Sequence, residues 1–205
     1  MQRRAPIRVF KVQEHIGKEG GWLKLKSPLY YSPRLFEFII GMMHPRSRYE
    51  KIAELAGKES ILELGCGTGL LNDYVEGEYL GVDLNKRFIE YAKKRGRNVK
   101  LKDIQEIGSM TQSVIVLVDI LHHLPNHKKF LEKMLKSGKK VIVCEPFDSH
   151  SLLTPIASIL DWDGVNNSSH AWFDKKGLKQ FYKSKGATEI IENGGSITAV
   201  FKRKT

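Results

Sequence analysis

Ile61-Leu62-Glu63-Leu64-Gly65-Cys66-Gly67-Thr68-Gly69-Leu70-Leu71 decides the reading of this chain. A short, mostly apolar run enters three glycines at alternate positions, and an apolar pair follows. An apolar run bounded by glycine suits a strand buried on both faces. Glycine in the turn lets the backbone reverse tightly and come close to a ligand. The expectation is strand, ligand-binding loop, then a helix starting at Leu70-Leu71. Asp83 ends the next apolar run, Tyr79-Leu80-Gly81-Val82-Asp83, 20 residues after Glu63. A carboxylate there can accept both hydroxyls of a ribose. A dinucleotide fingerprint would place glycine at position 70, where this chain has leucine. A nucleoside ligand without a pyrophosphate fits better, which disfavours a nucleotide-dependent oxidoreductase.

Outward from this stretch the chain alternates. Asn85 is placed to cap a helix carrying Phe88, Ile89 and Ala92 on one face. Val99 to Leu101 reads as a short strand, and Ser113 to Val118 as a strand covered on both sides. A helix from His127 to Lys136 ends near Gly138, and Val141 to Cys144 is another buried strand. Strand–helix alternation of this kind argues a parallel sheet with helices on both faces. The tail differs: Glu189-Ile190-Ile191 and Ile197 to Phe201 flank Asn193-Gly194-Gly195-Ser196, a hairpin turn that implies an antiparallel closing strand. Upstream, Ser32-Pro33 starts a helix through Leu35 to Met43, and a second helix spans about Arg46 to Leu55. The first of these is apolar on more than one face, so it is expected to be buried against something: across the ligand-binding cleft as a lid, on a membrane surface, or against another subunit.

The chain has 205 residues, 41% hydrophobic and 28% charged, which is the composition of a globular domain rather than a disordered one. Its two cysteines, Cys66 and Cys144, form no disulfide framework and no metal-ligating pattern, so no metal is expected. No run is long and apolar enough to span a bilayer, and the N-terminus lacks a signal-peptide core. A cytoplasmic protein is expected. The formal charge of +11 allows acidic partners such as nucleic acid, anionic lipid or a phosphorylated substrate.

Ile61 to Gly69 resembles the first motif of class I S-adenosylmethionine-dependent methyltransferases. Gly81-Val82-Asp83-Leu84 is similar to their second motif, Lys102-Asp103-Ile104 to their third, and Asp119-Ile120-Leu121-His122-His123-Leu124 to their fourth. The resemblance covers about residues 61–145. It implies an α/β, Rossmann-like, doubly wound and mostly parallel seven-stranded sheet with a reversed last strand, here preceded by an N-terminal helical arm. Residues 1–57 would be that arm, a lid, and residues 58–205 the methyltransferase domain with a covering insertion at about 148–173. The resemblance also implies S-adenosylmethionine as cofactor. The backbone of Gly65, Cys66, Gly67 and Gly69 would pass beside its methionine part, and Glu63 would help orient that end. Asp83 would take the ribose hydroxyls, Leu84 and Ile104 would cover the adenine, and Asp103 would accept from its amino group. Asp119 and Ile120 would line the floor near the sulfonium.

Methyl transfer by in-line displacement needs alignment and exclusion of water, and a base only if the nucleophile starts protonated. His122, His123 and Glu145 are the first candidates, because they fall at the carboxyl ends of strands, where open α/β sheets bind ligands. His150, His170, Tyr30 and Tyr31 could enter from covering segments, and Trp162, Trp172 and Phe173 could form an apolar acceptor wall. A small or amphipathic acceptor is expected. The alternatives are an RNA methyltransferase using the cations between Lys86 and Lys102, and a non-catalytic cofactor-binding protein.

Overall fold

Leu62 and Leu64 face one side of the sheet and Ile61 the other, and both sides are buried. That alternation, repeated in each central strand, sets the architecture. The computed structural model describes residues 27–43, 45–124, 126–147 and 174–202. The strands are β1 (Ile61–Leu64), β2 (Tyr79–Asp83), β3 (Val99–Leu101), β4 (Val114–Val118), β5 (Lys140–Pro146), β6 (Glu189–Asn193) and β7 (Ser196–Phe201). The helices are α1 (Pro33–Met43), α2 (Ser47–Ala56), α3 (Lys86–Lys94), α4 (His127–Lys136) and α5 (Lys175–Ser184).

The seven strands form one sheet in the order β3-β2-β1-β4-β5-β7-β6. β3, β2, β1, β4 and β5 run parallel, and β7 pairs antiparallel with both β5 and β6. This is the Rossmann-like sheet with a reversed last strand expected above. The β6–β7 hairpin turns through Gly194 and Gly195, whose φ angles of 51° and 89° suit the tight turn that matches strand twist.

Two packed layers flank the sheet. Phe130, Leu131 and Met134 of α4 join Leu178, Phe181 and Tyr182 of α5 against Leu62, Leu64, Ile115, Leu117, Val141 and Val143. On the opposite face Tyr49, Ile52 and Ala56 of α2 join Ile89 and Ala92 of α3 against Ile61, Val114, Val116 and Ile142. β1 and β4 are sheet neighbours whose chains leave in opposite directions, which opens a crevice at their carboxyl ends.

Two local expectations are corrected. The segment after Gly69 is a single 3-10 turn, Leu70–Asp73, rather than a helix. Its side chains are committed elsewhere: Asn72 accepts from the Asn98 N–H and Asp73 from Arg97. Helix α1 is not buried on more than one face, since Leu35, Phe38, Met42 and Met43 are exposed. Its start is as read, with the Leu35 N–H donating to Ser32 Oγ at 3.4 Å. The insertion at about 148–173, with His150, Trp162, His170, Trp172 and Phe173, lies outside the described residues.

Candidate functional site

The glycine-rich loop is latched to the neighbouring strand. Gly65 and Cys66 donate their N–H groups to the Val82 carbonyl at 2.8 and 3.0 Å. Gly65 has φ of 75°, and a side chain there would meet Ile120 at 2.6 Å. Only glycine satisfies both conditions without strain. Asp83 completes the latch: Oδ2 accepts from the Gly67 N–H at 2.8 Å and Oδ1 from the Asn85 N–H at 2.7 Å. Asn85 in turn caps α3 through the N–H groups of Arg87 and Phe88. The caps and the latch thus fix Asp83 at the end of β2 with its carboxylate against the loop. Burial pushes the Asp83 carboxyl up, and the hydrogen bonds from Asn85 and Gly67 work against that.

Glu63 is buried beneath the loop and accepts from the Tyr79 hydroxyl. Tyr79 reaches it over Gly81, where a Cβ would stand 2.6 Å from the Tyr79 oxygen and 2.7 Å from Cys66 Sγ. Burial pushes the Glu63 carboxyl up to about 8, and the Tyr79 hydrogen bond only partly offsets this. The Thr68 hydroxyl in the same loop is buried and has no hydrogen-bond partner among the described residues. Cys66 and Cys144 are both free thiols, and burial pushes each up, Cys144 to about 12.

Across the crevice, the turn after β4 is held from β5. Glu145 Oε1 accepts from the N–H groups of Ile120 and Leu121 at 2.9 and 2.8 Å, and Oε2 stands 2.6 Å from His122 Nδ1. With Oε1 receiving two donors, this geometry suits a proton on Nδ1 donated to Oε2. The His123 ring lies against His122 with centroids 4.1 Å apart. Ile120 lies over Gly65, so the fourth-motif residues and the glycine loop meet in one place. Asp103 caps a 3-10 turn, accepting from the Gln105 N–H at 2.8 Å, with Ile104 buried beside it. Leu84 is half-buried.

Three features were not foreseen. Arg48 of α2 is fully buried and binds both oxygens of Asp119, at 3.0 and 2.7 Å. Burial opposes its charge, yet Asp119 holds the guanidinium above its ordinary value. The signal was available, because Arg48 shares the helical face of Ile52 and Ala56 at i, i+4 and i+8. The second is Arg97, buried at the loop edge, which donates to Glu37, Asp73 and the Thr68 carbonyl. The third is Phe36 of α1, which packs on Phe88 with centroids 4.7 Å apart and stands 3.5 Å from where a Gly67 side chain would be. The Tyr30 carbonyl accepts from Asn85 Nδ2 at 3.0 Å, so the N-terminal segment is pinned along the Gly67–Asn85 edge.

The arrangement gathers Glu63, Asp83, Asp119 and Glu145 around the crevice, with Arg48 committed to Asp119. Such a site suits a cationic or hydroxyl-bearing ligand better than a polyphosphate. Among the described residues no group of three or more His, Cys, Asp or Glu could hold a metal ion.

The chain has counterparts among known proteins. A family model described as a methyltransferase domain matches residues 55–195. The methyltransferase candidate 235L of Invertebrate iridescent virus 6 is 26% identical over 121 residues, covering 54% of this chain and 46% of its own. The chain spans about half the length of the curated relatives it matches. A solved S-adenosylmethionine-dependent methyltransferase from Thermotoga maritima has a TM-score of 0.65 at 15% identity, covering 85% of this chain and 97% of that one. The plantazolicin methyltransferase BpumL, solved with a monoazolic desmethylPZN analogue and S-adenosylhomocysteine, has a TM-score of 0.63 at 17% identity. That superposition covers 83% of this chain and 88% of the enzyme.

Proposed function

This chain belongs to the methyltransferase-domain family, and from that premise we propose that it moves a methyl group from S-adenosylmethionine to a small or amphipathic acceptor. When bound, the cofactor supplies an electrophilic methyl group on a sulfonium sulfur. The residues present fit it. Asp83 faces its ribose hydroxyls, and Glu63, buried beneath the loop, helps orient its methionine end. The unpartnered Thr68 hydroxyl offers a hydrogen bond to the same end. The loop glycines let the backbone of Gly65, Cys66, Gly67 and Gly69 pass close to it.

In this reading Asp83 keeps its two backbone donors and uses its remaining lone pairs for the ribose. Leu84 and Ile104 cover the adenine and Asp103 accepts from its amino group. Asp119 contributes through its backbone position, because both its carboxylate oxygens bind Arg48. Ile120 walls the floor beside Gly65. His122 acts as the base: Glu145 fixes the ring through Nδ1, and Nε2 takes the acceptor's proton. Glu145 is thereby a positioning residue, and His123 packs against the His122 ring.

The observation that carries the acceptor class is Phe36 seated over Gly67 and Phe88. An N-terminal segment roofing the cofactor loop narrows the approach and helps exclude water from the reacting pair. An enclosure favours a small molecule over a folded RNA. The test is methyl transfer from labelled cofactor to a panel of small phenols, thiols, amines and amphipathic acids, with transfer RNA alongside. Label is expected in an organic-extractable acceptor. Label in RNA alone overturns the reading.

A further inference from the structure

Helix α1 has two faces of opposite commitment. Phe36 packs on Phe88, and Glu37 binds Arg97 and the Tyr91 hydroxyl. On the other side, Leu35, Phe38 and Met42 fall at i, i+3 and i+7 and form one stripe. Phe38 and Met42 are 64% and 69% exposed, and Leu35 and Met43 are 40% and 43% exposed. A solvated helix face is normally polar, so a bulky apolar stripe there marks a contact surface.

The surroundings of the stripe say what it would contact. Between Ser27 and Arg46 the only acidic residue is Glu37, and it is turned inward. Arg34 and Arg46 are exposed at the two ends of α1. Helix α3 packs alongside α1 and adds exposed Lys86, Arg87, Lys93, Lys94 and Arg95 against a single acid, Glu90. Arg87 and Arg95 tie the two helices together. The first donates to the Tyr31 carbonyl at 3.3 Å, and the second stands 4.0 Å from Glu37. An apolar stripe beside a cationic band is the pattern of a helix lying in a membrane interface. RNA would use the cations and could stack a base on Phe38, but it gains nothing from burying the aliphatic Leu35 and Met42 of the same stripe.

We propose that the α1–α3 face docks on an anionic lipid bilayer, with Leu35, Phe38 and Met42 entering the acyl boundary and the flanking Arg and Lys residues meeting lipid phosphates. This surface does not depend on the acceptor assigned above. Because the inner side of α1 carries Phe36 over Gly67, docking would set the cofactor loop against the bilayer surface.

The test is co-sedimentation of the full chain with phosphatidylcholine vesicles, with and without one-third phosphatidylglycerol. The protein is expected to pellet with the anionic vesicles only, and added salt should weaken this. Each cation near the surface contributes about fivefold in partitioning, so Arg34→Ser with Lys86→Ser should lower binding by about 25-fold. Phe38→Ser with Met42→Ser should lower it by about tenfold or more. All four side chains are exposed, and unchanged thermal melting will verify folding. Failure to pellet with anionic vesicles, equal binding to neutral ones, or unaltered binding by Phe38→Ser/Met42→Ser overturns the proposal. So does a wild-type dimer that this double variant dissociates, since a second copy would then cover the stripe. Tight RNA binding that competes with the vesicles and ignores Phe38→Ser/Met42→Ser would likewise reassign the cations to nucleic acid.

Discussion

Arg48 and Asp119, 71 residues apart in sequence, form a two-point ion pair at the carboxyl end of β4. Arg48 is fully buried and the Asp119 side chain is 23% exposed. Asp119 sits at φ of 50°, unusual for a residue other than glycine. The guanidinium also reaches Ser196 at the start of β7. One side chain from α2 therefore ties together the β4 turn, the reversed strand and, through Ile120, the wall beside Gly65. Removing Arg48 takes the two-point cationic partner away from a mostly buried carboxylate. Arg48→Ala is expected to destabilise folding by about 3–5 kcal/mol, measured by urea denaturation, and Arg48→Lys should cost less.

Asp83→Ala should weaken cofactor binding by about 1–3 kcal/mol. It also strands the Gly67 and Asn85 N–H groups, so a lower melting temperature should accompany it. Asp83→Asn retains the shape and one acceptor oxygen and should lose less stability. Calorimetry with S-adenosylhomocysteine separates the two effects, and unchanged affinity in both variants counts against the ribose assignment.

Glu63 gives a pH dependence of definite sign. Its folded carboxyl is pushed up to about 8, against about 4.3 for an unperturbed glutamate. The folded state holds the proton more tightly, so the contribution is fully present below the lower value. It is lost as pH rises through about 8. Melting temperature should therefore fall across that window, and Glu63→Gln should flatten the slope. An identical slope in the variant refutes the assignment.

His122→Ala should lower turnover by about 10²–10⁴-fold if His122 is the base, with cofactor affinity nearly unchanged. Glu145→Gln keeps an oxygen acceptor but disturbs the His122 contact, so its effect should appear in the pH–rate profile. Glu145→Ala also strands the Ile120 and Leu121 N–H groups and should cost about 1–3 kcal/mol of stability.

Gly65→Ala combines a positive φ with a collision against Ile120. It should destabilise by about 1–3 kcal/mol. Pairing it with Ile120→Ala should relieve the collision but not the backbone strain, and denaturant midpoints of the two variants measure the split.

What the sequence determined by itself was local. The strands, the glycine loop, the Asn85 cap and the Gly194-Gly195 hairpin follow from periodicity and turn chemistry within a few residues. The placement of Glu63, Asp83, Asp103 and the Asp119–His123 segment at strand ends follows from the same patterns. The helix expected after Gly69 failed because Asn72 and Asp73 are held by residues more than twenty positions away. The partners of Asp119, Glu145, Arg97 and Glu63 were decided only by the tertiary structure. Each of those pairs joins separate elements, and an ion pair or hydrogen bond has no sequence period. Which polar groups meet depends on how helices cross the sheet, and that is fixed by packing of the apolar faces, not by the polar residues themselves.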